Sequence, residues 1–380
     1  MITPYDDFPI HQTSEPVAQP VSADPNHYDR YFFNGYATDG SVFFGAAMGH
    51  YPNRGVIDAA FSVVHDGVEH SVFASGAMPL DRATEIGPVR VEVLEPLRTL
   101  RVSVAPNEHG IEADLVFAAR TPVVEEPRNT AVRGTRRVMD NTRLTQWGSW
   151  SGRIGVDGSE VVGVGAGGPP LLGVRDRSWG QRPVGAQPPN NFPPELPQLF
   201  WMWAPLNFES FCTHLALFEH ADGQRWLEQA LVVPVLLAGA PTWGPDTAVE
   251  HLAGVDYEIS WHPGTRVAAR TVLRARHTDG SVDTITLEPL FTFRMRGIGY
   301  SHPEWGHGSV HGPLAVGGES IKLDDFRSDD PSSLHVQSLV RARLVHSDGS
   351  TEDGVGVLEQ AAFGEHHPTG LTGLIDGWRS

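Results

Sequence analysis

The chain has 380 residues, 40% of them hydrophobic and 19% charged, enough apolar mass for a core spread over two or three domains. Its 28 basic residues face 46 acidic ones, a formal net charge of −18, which excludes roles that need clustered positive charge, such as gripping nucleic acid or an anionic membrane. Lys322 is the lone lysine and Cys212 the lone cysteine, so an intramolecular disulfide and a zinc site built on several thiolates are both excluded.

The chain opens on MITPYDDFPIHQTSEP, acidic and polar, with no basic or apolar leader pattern, and residues 1–26 are predicted to form a flexible arm. From there apolar alternating segments are punctuated by Asp-Gly pairs at Asp39-Gly40, Asp66-Gly67, Asp157-Gly158, Asp222-Gly223, Asp279-Gly280 and Asp348-Gly349. Tight hairpin turns need positive φ, which Asp-Gly supplies at little steric cost. Leu100, Val102 and Val104 alternate with polar residues, as do Ile111, Ala113, Leu115 and Phe117. Residues 187–198, QPPNNFPPELPQ, read as a Pro-rich linker. Beyond it, Phe200-Trp-Met-Trp-Ala-Pro-Leu-Asn-Phe208 is apolar on both faces and is predicted to be buried on both. In segment 266–276, Val267, Ala269, Thr271, Leu273 and Ala275 form one face, with Arg266, Arg270, Arg274 and Arg276 on the other. The pattern is all-β. Two β-barrels or curved sheets in tandem, 27–186 and 199–380, bury the strand edges that so many hairpins create. The most apolar stretch, 230–240, contains Pro234 and is too short to span a bilayer. A cytoplasmic protein is the expectation.

Several strings could carry chemistry. Gly163-Val-Gly165-Ala-Gly167-Gly168 matches a dinucleotide fingerprint in letters only, since Pro169-Pro170 follows where a helix must start. No Gly-x-Ser-x-Gly elbow is present, and no nucleophile stands beside a base. Tyr300, His302, Glu304, Trp305, His307 and His311 share one glycine-rich loop. That loop can bring His and Trp to a cavity mouth, or simply hold histidines that bond to backbone; its spacing does not suit a metal, and no cofactor is expected. The string Gly173-Val-Arg175-Asp176-Arg177-Ser178-Trp179-Gly180, if extended, puts Asp176 and Ser178 on one face and Arg175, Arg177 and Trp179 on the other. A carboxyl pointing into an apolar barrel would resist ionisation and could donate a proton, whereas one at a rim would be paired with an arginine.

The Gly-x-x-Asp-x-x-Trp string, Gly173 to Trp179, together with the aromatic strand after the linker, resembles the tandem lipocalin-like superfamily. That group includes carotenoid 1,2-hydratase (hydroxyneurosporene synthase), tocopherol-cyclase-like proteins and Diels–Alderase-like cyclases. The family commonly carries Asp-His-x-Trp, where this chain has Asp176-Arg177-Ser178-Trp179. The resemblance implies two lipocalin-like barrels and a pocket for an isoprenoid, steroid-like or polyketide-like molecule. It also implies cofactor-free hydration, cyclisation or isomerisation of an alkene, with Asp176 as acid and His307 or His311 handling water or a returning proton. Trp179, Trp201, Trp203, Trp305, Tyr300 and His302 would then shape the substrate cavity. The alternative is a non-catalytic carrier of a hydrophobic metabolite, which needs the cavity but no perturbed carboxyl.

Overall fold

The computed structural model describes residues 10, 12–163, 169–187, 191, 198–245, 247–325, 327 and 329–379. The glycine run at 164–168 and most of the Pro-rich segment 187–198 lie outside them. The described chain is 58% strand and 5% helical, arranged as one nearly closed barrel and one curled half-barrel.

All six Asp-Gly pairs fall in hairpins. At Asp66-Gly67 and Asp157-Gly158 both residues have positive φ (49° and 74°, 50° and 77°), the tight two-residue turn whose twist matches the flanking strands. The other four turn through longer loops, where the Asp carboxylate accepts the backbone N–H two residues on, from Ser41, Gln224, Ser281 and Ser350.

The first sheet runs, neighbour to neighbour, through Leu314–Lys322, Val68–Ala77, Val56–His65, Phe43–Tyr51, His27–Ala37, Leu171–Gln181, Arg136–Val156, Ile111–Ala119, Thr99–Val104, Val89–Glu95 and Glu85–Ile86. The second runs through Glu250–His251, Arg225–Pro234, Phe211–Glu219, Leu199–Asn207, Thr351–Phe363, His335–Val345, Val282–Arg294, Ala268–Arg276 and Gly254–Trp261. One strand crosses over. Leu314–Lys322 follows more than four-fifths of the chain yet pairs with Val68–Ala77 at the edge of the first sheet. The segment Met295–Pro313 therefore spans from one sheet to the other.

Alternation along the strands sorts side chains into three layers. Tyr31 and Phe33 enter the first barrel with Phe44, Phe61, Phe117 and Trp150. Phe32 and Tyr36 point the other way, onto Trp201, Trp203, Phe293 and Leu339 of the second sheet. Phe200, Met202 and Ala204 fill the concave side of that second sheet. The aromatic strand Leu199–Asn207 is thus buried on both faces, as its composition predicts. The predicted faces of 266–276 need correction. Ser260 pairs with Arg270 but Trp261 with Ala268, so Ala269 is an extra residue that reverses the alternation before it. Arg266 is consequently buried, and its guanidinium caps the carbonyls of Gly364, Thr372 and Asp376.

The motif glycine Gly173 has a steric reason. It sits in register between Gly35 and Gly148 on adjacent strands, and a Cβ there would lie 2.2 Å from Asn34 O and 2.6 Å from Trp150 Nε1. Gly173→Ala is expected to lower unfolding stability by about 1–3 kcal/mol, the usual cost of overpacking a tight core. An unchanged urea midpoint would contradict this. At the far end of the second sheet, Glu250, His277, Asp283, His346 and Glu352 form one chain of contacts of 2.8–3.1 Å. Burial alone would lower both histidines, but the carboxylates outweigh it and raise them above 6.5. A raised histidine contributes stability that is complete below its unfolded pKa and is lost as pH rises through the folded one. The wild type should therefore lose its thermal advantage over a His277→Gln/His346→Gln variant as pH rises above 6.5, measured as Tm at each pH.

Candidate functional site

Asp176 lies in strand Leu171–Gln181, flanked by Phe32 of His27–Ala37 and Thr145 of Arg136–Val156. It shares their face, which is the one turned toward the second sheet. Of the placements left open by the sequence, the carboxyl takes the side between the two sheets, and Arg175 and Arg177 take the barrel side. Arg175 holds Gln146 Oε1 through Nε and Nη2 at 3.0 and 2.7 Å, and Arg177 pairs with Asp29 above the Tyr31 ring.

Around Asp176 the interlayer turns polar. Arg143, two residues before Thr145, pairs with Glu126 at 3.3 Å and lies over the Trp201 ring at 5.4 Å. Glu126 also accepts Thr145 Oγ1 at 2.6 Å, and its Oε1 is 3.2 Å from His214 Nε2, which Trp203 Nε1 meets at 2.9 Å. Arg30, only 1% exposed, lies over the Tyr300 ring at 4.5 Å. Tyr300 meets His335 edge to face at 4.4 Å, and His335 meets Trp201 at 5.5 Å. Asp176 is in the electrostatic reach of both Arg143 and Arg30. Ring contacts thus run from Arg143 through Trp201, His335 and Tyr300 to Arg30, and the two guanidiniums at the ends of this ring of residues act on Asp176 electrostatically. Asp176 and Tyr300 keep some accessible surface although Phe32, Thr145, Arg30, Trp201 and His335 are all buried.

The ring also sets the charges. Burial pushes Asp176 from 3.8 up to about 6, with Arg143 and Arg30 opposing and Glu126 and Glu359 reinforcing. Burial would raise Glu126 as well, but Arg143 and His214 outweigh it and hold it at about 2. Two carboxyls in one layer are thus pushed apart, one toward acid and one toward permanent anion. A relay crosses between the sheets: His335 Nε2 to Glu359 Oε1 at 2.5 Å, Gln337 Nε2 to Glu359 Oε2 at 2.6 Å, Asn34 Nδ2 to Gln337 Oε1 at 3.1 Å, and Val174 N to Asn34 Oδ1 at 2.9 Å. The other ring nitrogen of His335 has no hydrogen-bond partner among the described residues.

Of the residues singled out in the sequence, Asp176, Trp201, Trp203, Tyr300 and His307 come together in this layer. Trp179 does not: it lies on the barrel side at the strand's end and is 41% exposed. The histidines of the 300–312 loop bond to backbone. His307 Nε2 donates to Ile298 O at 2.9 Å, leaving Nδ1 to accept Arg30 Nη1 at 3.1 Å, and burial beside Arg30 and Arg182 drives its pKa well down. His302 Nδ1 accepts the N–H groups of Glu304 and Trp305. His311 Nε2 lies 3.1 Å from Glu304 O, and its ring stacks on Trp305 at 4.3 Å. Trp305, His307 and His311 border a space of only about 10 Å³, room for a single water. Two larger hollows lie elsewhere: about 620 Å³ beneath residues 12–21 of the arm, and an open groove of about 1040 Å³ near Arg120, Arg270 and Arg341.

Arg30, Arg143, His335 and Glu359 escaped the sequence reading. A signal exists for the last two. His335 and Gln337, like Glu359, are polar residues in strands whose neighbours are otherwise buried and mostly apolar.

No curated protein matches the chain. Among solved structures, the fold is similar to a protein described as AttH from Nitrosomonas europaea, with 13% identity, 88% of this chain and 92% of that one covered, and a TM-score of 0.51. It is also similar to kievitone hydratase from Nectria haematococca, with 11% identity, 95% and 96% coverage, and a TM-score of 0.51. At these identities the likeness is one of fold. A family model described as "Family of unknown function (DUF8625)" matches residues 2–372, and the chain belongs to that family.

Proposed function

We propose that the chain is a cofactor-independent hydratase, cyclase or isomerase acting on a hydrophobic unsaturated small molecule, with the inter-sheet gap as its active site. The observation that carries this reading is the Asp176 carboxyl, raised to about 6 and lying in one ring with Trp201, Tyr300 and the His335–Glu359 pair. Kievitone hydratase, of similar fold, carries in its name a water-adding reaction, and the tandem lipocalin-like resemblance of Gly173 to Trp179 points to the same alkene chemistry.

In hydration, Asp176 gives its proton to one alkene carbon, and a cation develops at the other. Water adds to that carbon and loses a proton to the free nitrogen of His335, whose opposite N–H is held by Glu359. The proton then returns to Asp176, so the net change is one water added across the double bond. In cyclisation or isomerisation the cation is quenched within the substrate instead. The base role anticipated for His307 or His311 passes to His335, because both nitrogens of His307 are engaged and His311 is stacked on Trp305. His307 positions Arg30. His302, Trp305 and His311 brace the loop that carries Tyr300.

Incubation with a panel of unsaturated isoprenoid, steroid and polyketide lipids in ¹⁸O-labelled water should give a product heavier by one labelled water, or an isomer of unchanged mass. Asp176→Asn should reduce turnover by about 10²–10⁴-fold, the usual contribution of a general acid. A carrier would return every lipid unchanged, and full turnover by Asp176→Asn would remove that residue from the mechanism. The wild-type kcat/KM should fall about tenfold per pH unit above pH 6, because it reports the free protein, in which the acid must be protonated. Stability gives an independent readout. A carboxyl whose folded pKa exceeds its unfolded one costs stability as pH rises from about 4 to about 6 and beyond that by a constant amount. Asp176→Asn should therefore have a higher Tm than the wild type at pH 8 and no advantage at pH 4.

A further inference from the structure

The gap is short of hydrogen-bond acceptors. Among the described residues, four buried donors on the ring have no hydrogen-bond partner: Nε and Nη2 of Arg30, Nε of Arg143 and Nε1 of Trp201. Most acceptors nearby are spent, and Asp176, though in electrostatic reach of Arg30 and Arg143, hydrogen-bonds to neither. Glu126 serves Arg143 and Thr145, Glu359 serves His335 and Gln337, and Gln337 Oε1 serves Asn34. An unpaired buried donor is destabilising, more so when charged, and native folds rarely leave several in one place. On Arg30 the open edge is the Nε–Nη2 fork, since Nη1 is taken by His307. That fork is the edge with which a guanidinium grips two oxygens of one group.

We infer that the substrate of this site carries a carboxylate, seated between Arg30 and Arg143, while its unsaturated hydrocarbon lies against Trp201 and Tyr300. The inference rests on the reading of the gap as the active site and names the class of molecule it takes. It also accounts for how the acid is loaded. Asp176, at about 6, is largely ionised at neutral pH when the gap is empty. A substrate anion offsets the Arg30 and Arg143 charges that oppose protonation and adds to Glu126 and Glu359, which favour it. Binding therefore draws one proton from solvent onto Asp176, and the molecule to be protonated arms its own proton donor.

Isothermal titration with farnesoate and farnesol, matched isoprenoids that differ in the charged head, tests this at pH 7. Farnesoate should bind at least about tenfold more tightly than farnesol, the margin of a charge-assisted pair over a neutral one. The preference should disappear in Arg30→Gln and in Arg143→Gln, and Arg30→Lys should restore part of it. Comparing phosphate with Tris buffer should show uptake of about one proton with farnesoate in the wild type and none in Asp176→Asn. Equal or tighter binding of farnesol overturns the carboxylate seat but leaves the hydrocarbon pocket standing. Binding of neither lipid overturns both. A farnesoate preference that survives both glutamine variants, with their unfolding midpoints unchanged, places the anion elsewhere and also overturns the inference.

Discussion

Two sheets pressed face to face exclude water from between them, so any charge in that layer must be answered from within it. Most of the layer meets this condition by being apolar: Phe32, Tyr36, Phe43, Trp147 and Val174 of one sheet lie against Trp203, Phe293, Leu339 and Val357 of the other. Around Asp176 it is met differently. Arg143 satisfies Glu126, Glu359 satisfies His335, and Asp176 is left with the weaker option of holding its proton. The properties assigned to the site follow from that distribution. Move Arg143 into contact with Asp176 instead of Glu126, and the acid would become a permanent anion.

The loop after the helical turn Met295–Ile298 supplies what neither sheet can. It brings Tyr300 and His307 over the gap, and its anchors come from the opposite sheet: Asp58 accepts Gly308 N at 2.7 Å, and Ser75 Oγ donates to Ser309 O at 2.9 Å. Glu69 accepts Arg294 N at the loop's root, and burial pushes that carboxyl up to about 8. The loop's histidines are bracing because a glycine-rich segment has few side chains to hold it. Imidazole can accept from one backbone group or donate to another, as His302 and His307 do.

Strand positions, hairpins and the two-sheet architecture were legible because they depend on local chemistry: positive φ at Asp-Gly, period-two alternation, and rings on both faces of Leu199–Asn207. The one misassigned face, at 266–269, failed because a bulge at Ala269 leaves no mark in the alternation itself. Asp176 stood out as a residue, but the direction of its side chain did not. Alternation says that Asp176 opposes Arg175 and Arg177, and only the second sheet decides which side is the dry one. Arg30, Arg143 and His335 were illegible for a related reason. They come from strands far apart in sequence, and each looks ordinary until its neighbours across the gap are known.

The strand Leu314–Lys322 ties the halves together more deeply than a shared surface does. Its backbone completes the edge of a sheet whose other members all precede residue 182, while the turn before it carries one wall of the gap. Neither half is therefore a freely exchangeable module. A recombination joined near residue 190 would hand the first barrel a border strand and a roof drawn from a foreign partner. The two halves are thus bound to diverge in step, each keeping pace with what the other contributes.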